Sequence, residues 1–160
     1  EKEAGWERNV EIADTIGYYK LKLLSAFNLT IPGVPVIYYG DEIGMVGAGD
    51  PDNRRPMIFE GLNTFQEDVK STIKLLFELR AKNIALTYGE FNLIYISNNV
   101  FVYERVYLNN KVIVVFNKSE KAITLPNFEE INSYKNHFNS TTLNKQIVLP
   151  PYSFDIYTKQ

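Results

Sequence analysis

Residues 35–40, "PVIYYG", restrict what this chain can fold into more than any other stretch. Pro35 disfavours helix just upstream, and Val36, Ile37, Tyr38 and Tyr39 are β-branched or aromatic with no polar residue among them. The run reads as a short strand buried on both faces, the kind found inside parallel sheets, with Gly40 ending it. Residues 1–86 offer no second strand. Asp14 or Thr15 is placed to cap a helix over about 16–29, with Ile16, Tyr19, Leu23 and Phe27 inward and Lys20 and Lys22 outward. A long loop, "GDEIGMVGAGDPDNRRPMIFEG", follows the strand. A second helix then opens on a Thr64–Glu67 capping box, with Phe65, Val69, Ile73, Leu76, Phe77 and Leu79 on its apolar side. One parallel strand leaves its backbone groups unpaired and cannot close a sheet, so this half reads as the tail of a larger α/β domain.

From Tyr88 the texture changes. The segments "EFNLIYI", "VFVYERVYL", "KVIVVFN", "KAITLP", "SYK", "QIVLP" and "YSFDIYT" alternate with turns, Asn98-Asn99 and Asn109-Asn110 among them. Short strands at this spacing describe an antiparallel β-sandwich. The expected organisation is therefore α/β over residues 1–86 and all-β over residues 87–160. The opening "EKEAGWERN" carries neither an initiator Met nor a signal-peptide pattern and reads as the interior of a longer chain.

Composition removes several function classes. A net charge of −2 without a basic stripe argues against nucleic acid as a partner. No apolar run is long enough to span a bilayer as a helix, which argues against a membrane partner. The absence of cysteine excludes thiol catalysis, disulfides and thiolate metal sites, and leaves the compartment unassigned. At 45% hydrophobic residues the chain has the material for a sizeable core.

The long loop holds the candidate chemistry. Five of the nine glycines lie in it or on its borders, as a backbone bent around something requires. Asp41 and Glu42 follow the strand end, where α/β folds place ligand sites, but neighbours there point to opposite sides and cannot converge on one bond. An EF-hand-type calcium loop counted from Asp50 would need Gly and Glu where Arg55 and Gly61 stand, so that reading fails. Trp6 reads as a packing anchor, and Arg55 as solvated.

"PGVPVIYYGDEIGMVGAGDPDNRRPMIF", residues 32–59, resembles the last barrel strand and following loop of α-amylase-family glycoside hydrolases, nearest to α-amylases, neopullulanases and cyclomaltodextrinases. "GYYKLKLLSAFNLT" before it and "LPPYSFDIY" near the end also resemble that family. The resemblance implies a fold: the C-terminal end of an eight-stranded β/α (TIM) barrel followed by an antiparallel β-sandwich C-terminal domain. It implies retaining hydrolysis of α-glucosidic bonds in starch-like glucans, with an α-glucan or maltooligosaccharide as the full-length protein's substrate. The family's three catalytic acids belong to earlier barrel strands, so no catalytic residue is expected here and the fragment alone is expected to be inactive. In neopullulanase-like relatives the positions of Asp50 and Arg54 hydrogen-bond a glucose near the cleavage point, and Glu42 has a structural role on the barrel rim. The resemblance implies no cofactor in this fragment and leaves calcium open for the full-length enzyme. A barrel remnant without its partners is expected to self-associate. The alternative function is a non-catalytic carbohydrate-binding or domain-interaction module.

Overall fold

The computed structural model describes residues 4–8, 10–125, 133–138, 141–143 and 146–159. Among the described residues the helices are α1 (Ala4–Glu7), α2 (Ile16–Thr30), α3 (Thr64–Lys82) and α4 (Ile84–Tyr88). The strands are β1 (Glu90–Ile96), β2 (Val100–Tyr107), β3 (Asn110–Asn117), β4 (Ile123–Leu125), β5 (Tyr134–Asn136), β6 (Thr141–Leu143), β7 (Gln146–Leu149) and β8 (Ser153–Lys159). They form a five-stranded sheet ordered β1-β2-β3-β8-β5 and a three-stranded sheet ordered β4-β7-β6. Every pairing is antiparallel. The architecture is mixed α/β, with helices and a multi-stranded sheet, and the described residues contain no closed barrel.

Asp14 starts α2 by accepting the Ile16 N–H at 2.9 Å, satisfying one of the helix's orphan donors. The buried side of α2 is Tyr18, Ser25, Ala26, Leu29 and Thr30, not the expected stripe of Ile16, Tyr19, Leu23 and Phe27. This helix is apolar on more than one side, so periodicity alone did not select its packing face. Lys22 is not outward either: its ammonium lies 2.5 Å from Asp68 of α3. The cap of α3 also shifts by one residue. Asn63, in extended backbone, accepts the Phe65 and Gln66 N–H groups, and Gln66 returns a bond to the Asn63 N–H. Phe77, expected on the buried side of α3, is exposed, as is Trp6 of α1.

Residues 34–38 do not form the strand expected at Val36–Tyr39. They pair in no ladder, and Val36 is 78% exposed, because the described residues supply no neighbouring strand. A bond from Asn28 Nδ2 to the Val36 carbonyl, 2.8 Å long, holds the segment against α2. The β2–β3 hairpin pairs Tyr107 with Asn110, so its turn is Leu108-Asn109 rather than Asn109-Asn110.

Two apolar layers meet at the five-stranded sheet. One face presents Tyr103, Val112, Val114, Phe116, Phe154 and Ile156 to the helices. The other packs Val102, Ile113, Val115 and Tyr157 against Leu125, Ile147 and Leu149 of the smaller sheet. The central strand β3 is therefore buried on both faces.

Polar groups fasten the helical layer to the sheet at the C-terminus of α2. Arg105 of β2 is fully buried and donates to the Thr30 carbonyl at 2.6 Å and to the Gly89 carbonyl at 2.8 Å. Arg80 of α3 donates to the carbonyls of Leu29 and Gly33, at 2.8 and 2.5 Å. Tyr103 and Thr30 share a hydroxyl hydrogen bond of 2.5 Å. Carbonyls orphaned at a helix end attract cations in this way. Gly89 is needed for the approach: a Cβ there would stand 2.3 Å from the Ala85 carbonyl oxygen.

Candidate functional site

The loop that begins at Gly40 is shaped first by its backbone. Gly40 has φ +93°, a left-handed conformation that a side chain takes at a cost, and a Cβ there would also strike Met45. Its carbonyl accepts from both Ile43 and Met45, at 3.1 and 2.9 Å, closing a 3₁₀ turn over Asp41–Ile43. The two adjacent acids are used inside that turn. Asp41 Oδ2 accepts the Tyr38 N–H at 3.2 Å, and Glu42 Oε2 accepts the Gly40 N–H at 2.7 Å. Neither carboxylate converges with the other on a common point, and both hold the bend.

A second 3₁₀ turn, Asp52–Arg54, is fixed from beneath by an ion pair. Arg55 donates from Nε and Nη2 to the two oxygens of Asp52, at 2.7 and 2.6 Å, and Nη2 also reaches the Val10 carbonyl. Asp52 further accepts the Ala48 N–H at 2.8 Å. The side chains are 6% exposed for Asp52 and 24% for Arg55, so Arg55 is not the solvated residue its neighbourhood suggested. The Arg55 fork, and then the Ala48 N–H, hold the Asp52 carboxyl below its ordinary pKa, and Asp52 raises Arg55 in return. The sequence signal was the "DPDNRR" run itself, which offers two acids and two arginines but no indication of which pair turns inward.

Asp50 and Arg54 are the pair left outside. Arg54 Nε lies 3.0 Å from Asp50 Oδ1, and the side chains are 70% and 62% exposed for Arg54 and Asp50. The structure thus brings the two sequence-selected residues together on the solvent side of an anchored turn. Beside them Tyr39 donates its hydroxyl to the Arg55 carbonyl at 3.1 Å and lies against Tyr38, ring centres 4.7 Å apart. Desolvation and the Tyr38 hydroxyl hold the Tyr39 phenol above its ordinary pKa. Tyr38, Tyr39, Asp41, Met45, Asn53 and Arg55 border a concavity of 160 Å³. His137, the only histidine, lies elsewhere, its Nε2 2.8 Å from the Thr158 hydroxyl. Among the described residues, no group of three or more His, Asp or Glu is gathered as a metal ion requires.

This arrangement offers a carboxylate acceptor and a planar guanidinium donor side by side, exposed and fixed from below. Such a pair matches the alternating donors and acceptors of vicinal hydroxyls.

No family model matches the chain. Among curated proteins it is 42% identical over 102 residues to a cyclomaltodextrinase of Thermoanaerobacter pseudethanolicus, covering 64% of this chain and 18% of that protein. It is 32% identical over 147 residues to a cyclomaltodextrinase of Geobacillus thermopakistaniensis, covering 86% and 25%. An α-amylase of Niallia circulans is 42% identical over 100 residues, covering 62% and 18%. Among solved structures, a maltogenic amylase from S. marinus matches with a TM-score of 0.71 and 30% identity, covering 89% of this chain and 19% of that one. Over part of its length the chain is homologous to the α-amylase superfamily of glycan-active enzymes, and it spans a quarter or less of the curated relatives named here.

Proposed function

We propose that these residues form the C-terminal portion of a retaining glycoside hydrolase that cleaves α-glucosidic bonds in starch-like glucans or maltooligosaccharides. The observation that carries this reading is the 42% identity to a cyclomaltodextrinase, supported by the fold likeness to a maltogenic amylase. Residues 1–86 contribute the last segment of the catalytic barrel, and residues 87–160 a C-terminal β-sandwich domain. In the complete barrel, residues 34–38 gain a neighbouring strand and with it the ladder they lack here.

The catalytic acids lie in residues outside this chain. What these residues supply is positioning. Arg54 and Asp50 bind the hydroxyls of a glucose next to the scissile bond, the guanidinium donating and the carboxylate accepting. The buried Asp52–Arg55 pair keeps the turn rigid, so little order has to be imposed when sugar binds. Asp41 and Glu42 hold the bend and touch no sugar.

The test is expression of the longer polypeptide that contains these residues, assayed for reducing sugar released from soluble starch and β-cyclodextrin. The longer protein is expected to hydrolyse both, and this chain alone neither. Hydrolysis by this chain alone would overturn the assignment of the catalytic acids, and an inactive, folded longer protein would overturn the assignment of function.

A further inference from the structure

At the β2–β3 hairpin the sheet carries an aromatic corner built from different elements than the Asp50–Arg54 turn. The Ala85 N–H donates to Asn110 Oδ1 at 2.9 Å, which seats α4 against the hairpin. Tyr88, at the end of α4, thereby comes beside Tyr107, at the end of β2, with ring centres 6.1 Å apart and planes inclined by 47°. Tyr88 is 70% exposed, and Tyr107 is also open to water. Leu108 follows in the turn at 84% exposure with φ +49°. A leucine is an expensive choice there, because glycine or asparagine takes a left-handed conformation with less strain, and its side chain gains nothing by pointing into water. Ile84, one turn before Tyr88 on α4, shares its helix face and is exposed as well. Four large side chains are thus open to solvent at one corner.

We propose that this corner is a second α-glucan-binding surface, on which Tyr88 and Tyr107 stack against successive glucose rings. The choice of ligand rests on the glucan-hydrolase reading above. A pyranose ring has a C–H-rich face that lies on an aromatic ring, while its equatorial hydroxyls point sideways to water or to groups such as the two phenol hydroxyls and the exposed Asn109 amide. Rings inclined to each other follow a chain whose sugars turn from one to the next, as α-1,4-linked glucose does. A flat β-1,4-linked chain would meet only one of them. Leu108 and Ile84 shield the rim of the contact from water.

The experiment uses this chain as it stands. It is run in native gels containing soluble starch, and maltoheptaose, β-cyclodextrin and cellohexaose are titrated into it by calorimetry. Starch is expected to retard it, and the two α-glucans to bind while cellohexaose does not. Tyr88→Ala and Tyr107→Ala should each weaken binding by about tenfold, and Tyr88→Trp should retain it. The melting temperature of Tyr88→Ala should stay unchanged, since Tyr88 is 70% exposed, and that of Tyr107→Ala should fall slightly, since Tyr107 is 36% exposed. The proposal falls if no α-glucan binds, if both tyrosine variants bind normally, or if cellohexaose binds equally well. It also falls if the tyrosine variants alter sedimentation rather than glucan affinity. Failure of the glucan-hydrolase reading would appear separately, as inactivity of the longer protein.

Discussion

Replacing Arg105 with Met probes what fastens the helices to the sheet. The guanidinium is fully buried, and its described bonds go to main-chain carbonyls: Thr30 at 2.6 Å and Gly89 at 2.8 and 3.3 Å. Burial first, and then the like charge of Arg80, lower its pKa from the ordinary arginine value. Methionine keeps much of the stem's volume and no donor, so two buried carbonyls lose a charge-assisted partner at about 1.5–3 kcal/mol each. Against this gross loss of about 3–6 kcal/mol stands relief from keeping a cation out of water, an offset of a few kcal/mol. The net expectation is a destabilisation of about 2–3 kcal/mol, or about 5–10 °C in Tm for a chain of this size. Urea unfolding followed by far-UV circular dichroism and by tyrosine fluorescence measures it. Arg105→Lys should fall between, because one ammonium does not span both carbonyls. Arg80 holds carbonyls of the same helix end and repels Arg105, so Arg80→Met with Arg105→Met should cost less than the two changes summed. An Arg105→Met chain as stable as the parent would refute the reasoning, and would show that the desolvation cost cancels the bonds.

Other expectations concern the loop, the hairpin and the open faces. In the longer protein, Arg54→Ala and Asp50→Ala should each lower kcat/KM by about ten- to a hundredfold on maltooligosaccharides long enough to reach the subsite, and little on the shortest. An equal loss at every length would remove both residues as sugar ligands. Asp52 has its folded pKa below the unfolded value of 3.8, so its contribution is complete above that value and is lost as pH falls through the lower, folded one. Proteolytic nicking of residues 46–58 should therefore rise only in that acid window, and at every pH in Asp52→Asn. Leu108→Asn relieves the left-handed leucine and should stabilise the chain by about 0.5–1 kcal/mol in urea unfolding, with no gain expected if the turn relaxes to another backbone. The exposed Leu24, Val34 and Val36, with the open edge of β1, should make this chain self-associate, which sedimentation velocity reads as mass above that of one chain.

Much of the fold was legible because the signals were local. Alternation and turn residues placed β1, β2, β3, β7 and β8 to within about a residue or two. The errors share a cause: each was decided by a partner distant in sequence or by a choice between near-equivalent residues. Asn63 and Thr64 both suit an N-cap, and only the extended backbone at Asn63 decides between them. The strand expected at Val36–Tyr39 does not form, because a ladder needs a neighbour that the described residues do not contain, and Tyr39 already lies in the turn that follows. Strand β6, Thr141–Leu143, is too short for any period to register. Arg105 was readable in part, since alternation along "VFVYERVYL" places it on one face with Phe101 and Tyr103. That this face is covered by helices, and that carbonyls await the guanidinium there, depends on packing. In the loop, "DPDNRR" announced ionic pairing, yet which arginine turns inward follows from the position of the Val10 carbonyl, forty-five residues away in sequence.

The central claim, that these residues complete a retaining α-glucan hydrolase, is tested most directly by the anomeric configuration of its first products. Proton NMR recorded during the first minutes of maltooligosaccharide hydrolysis by the longer protein separates α- from β-configured reducing ends before mutarotation mixes them. The account predicts that the α signal rises first and the β signal follows by mutarotation. An initial β signal, or the absence of any released reducing end from a folded protein, would contradict it.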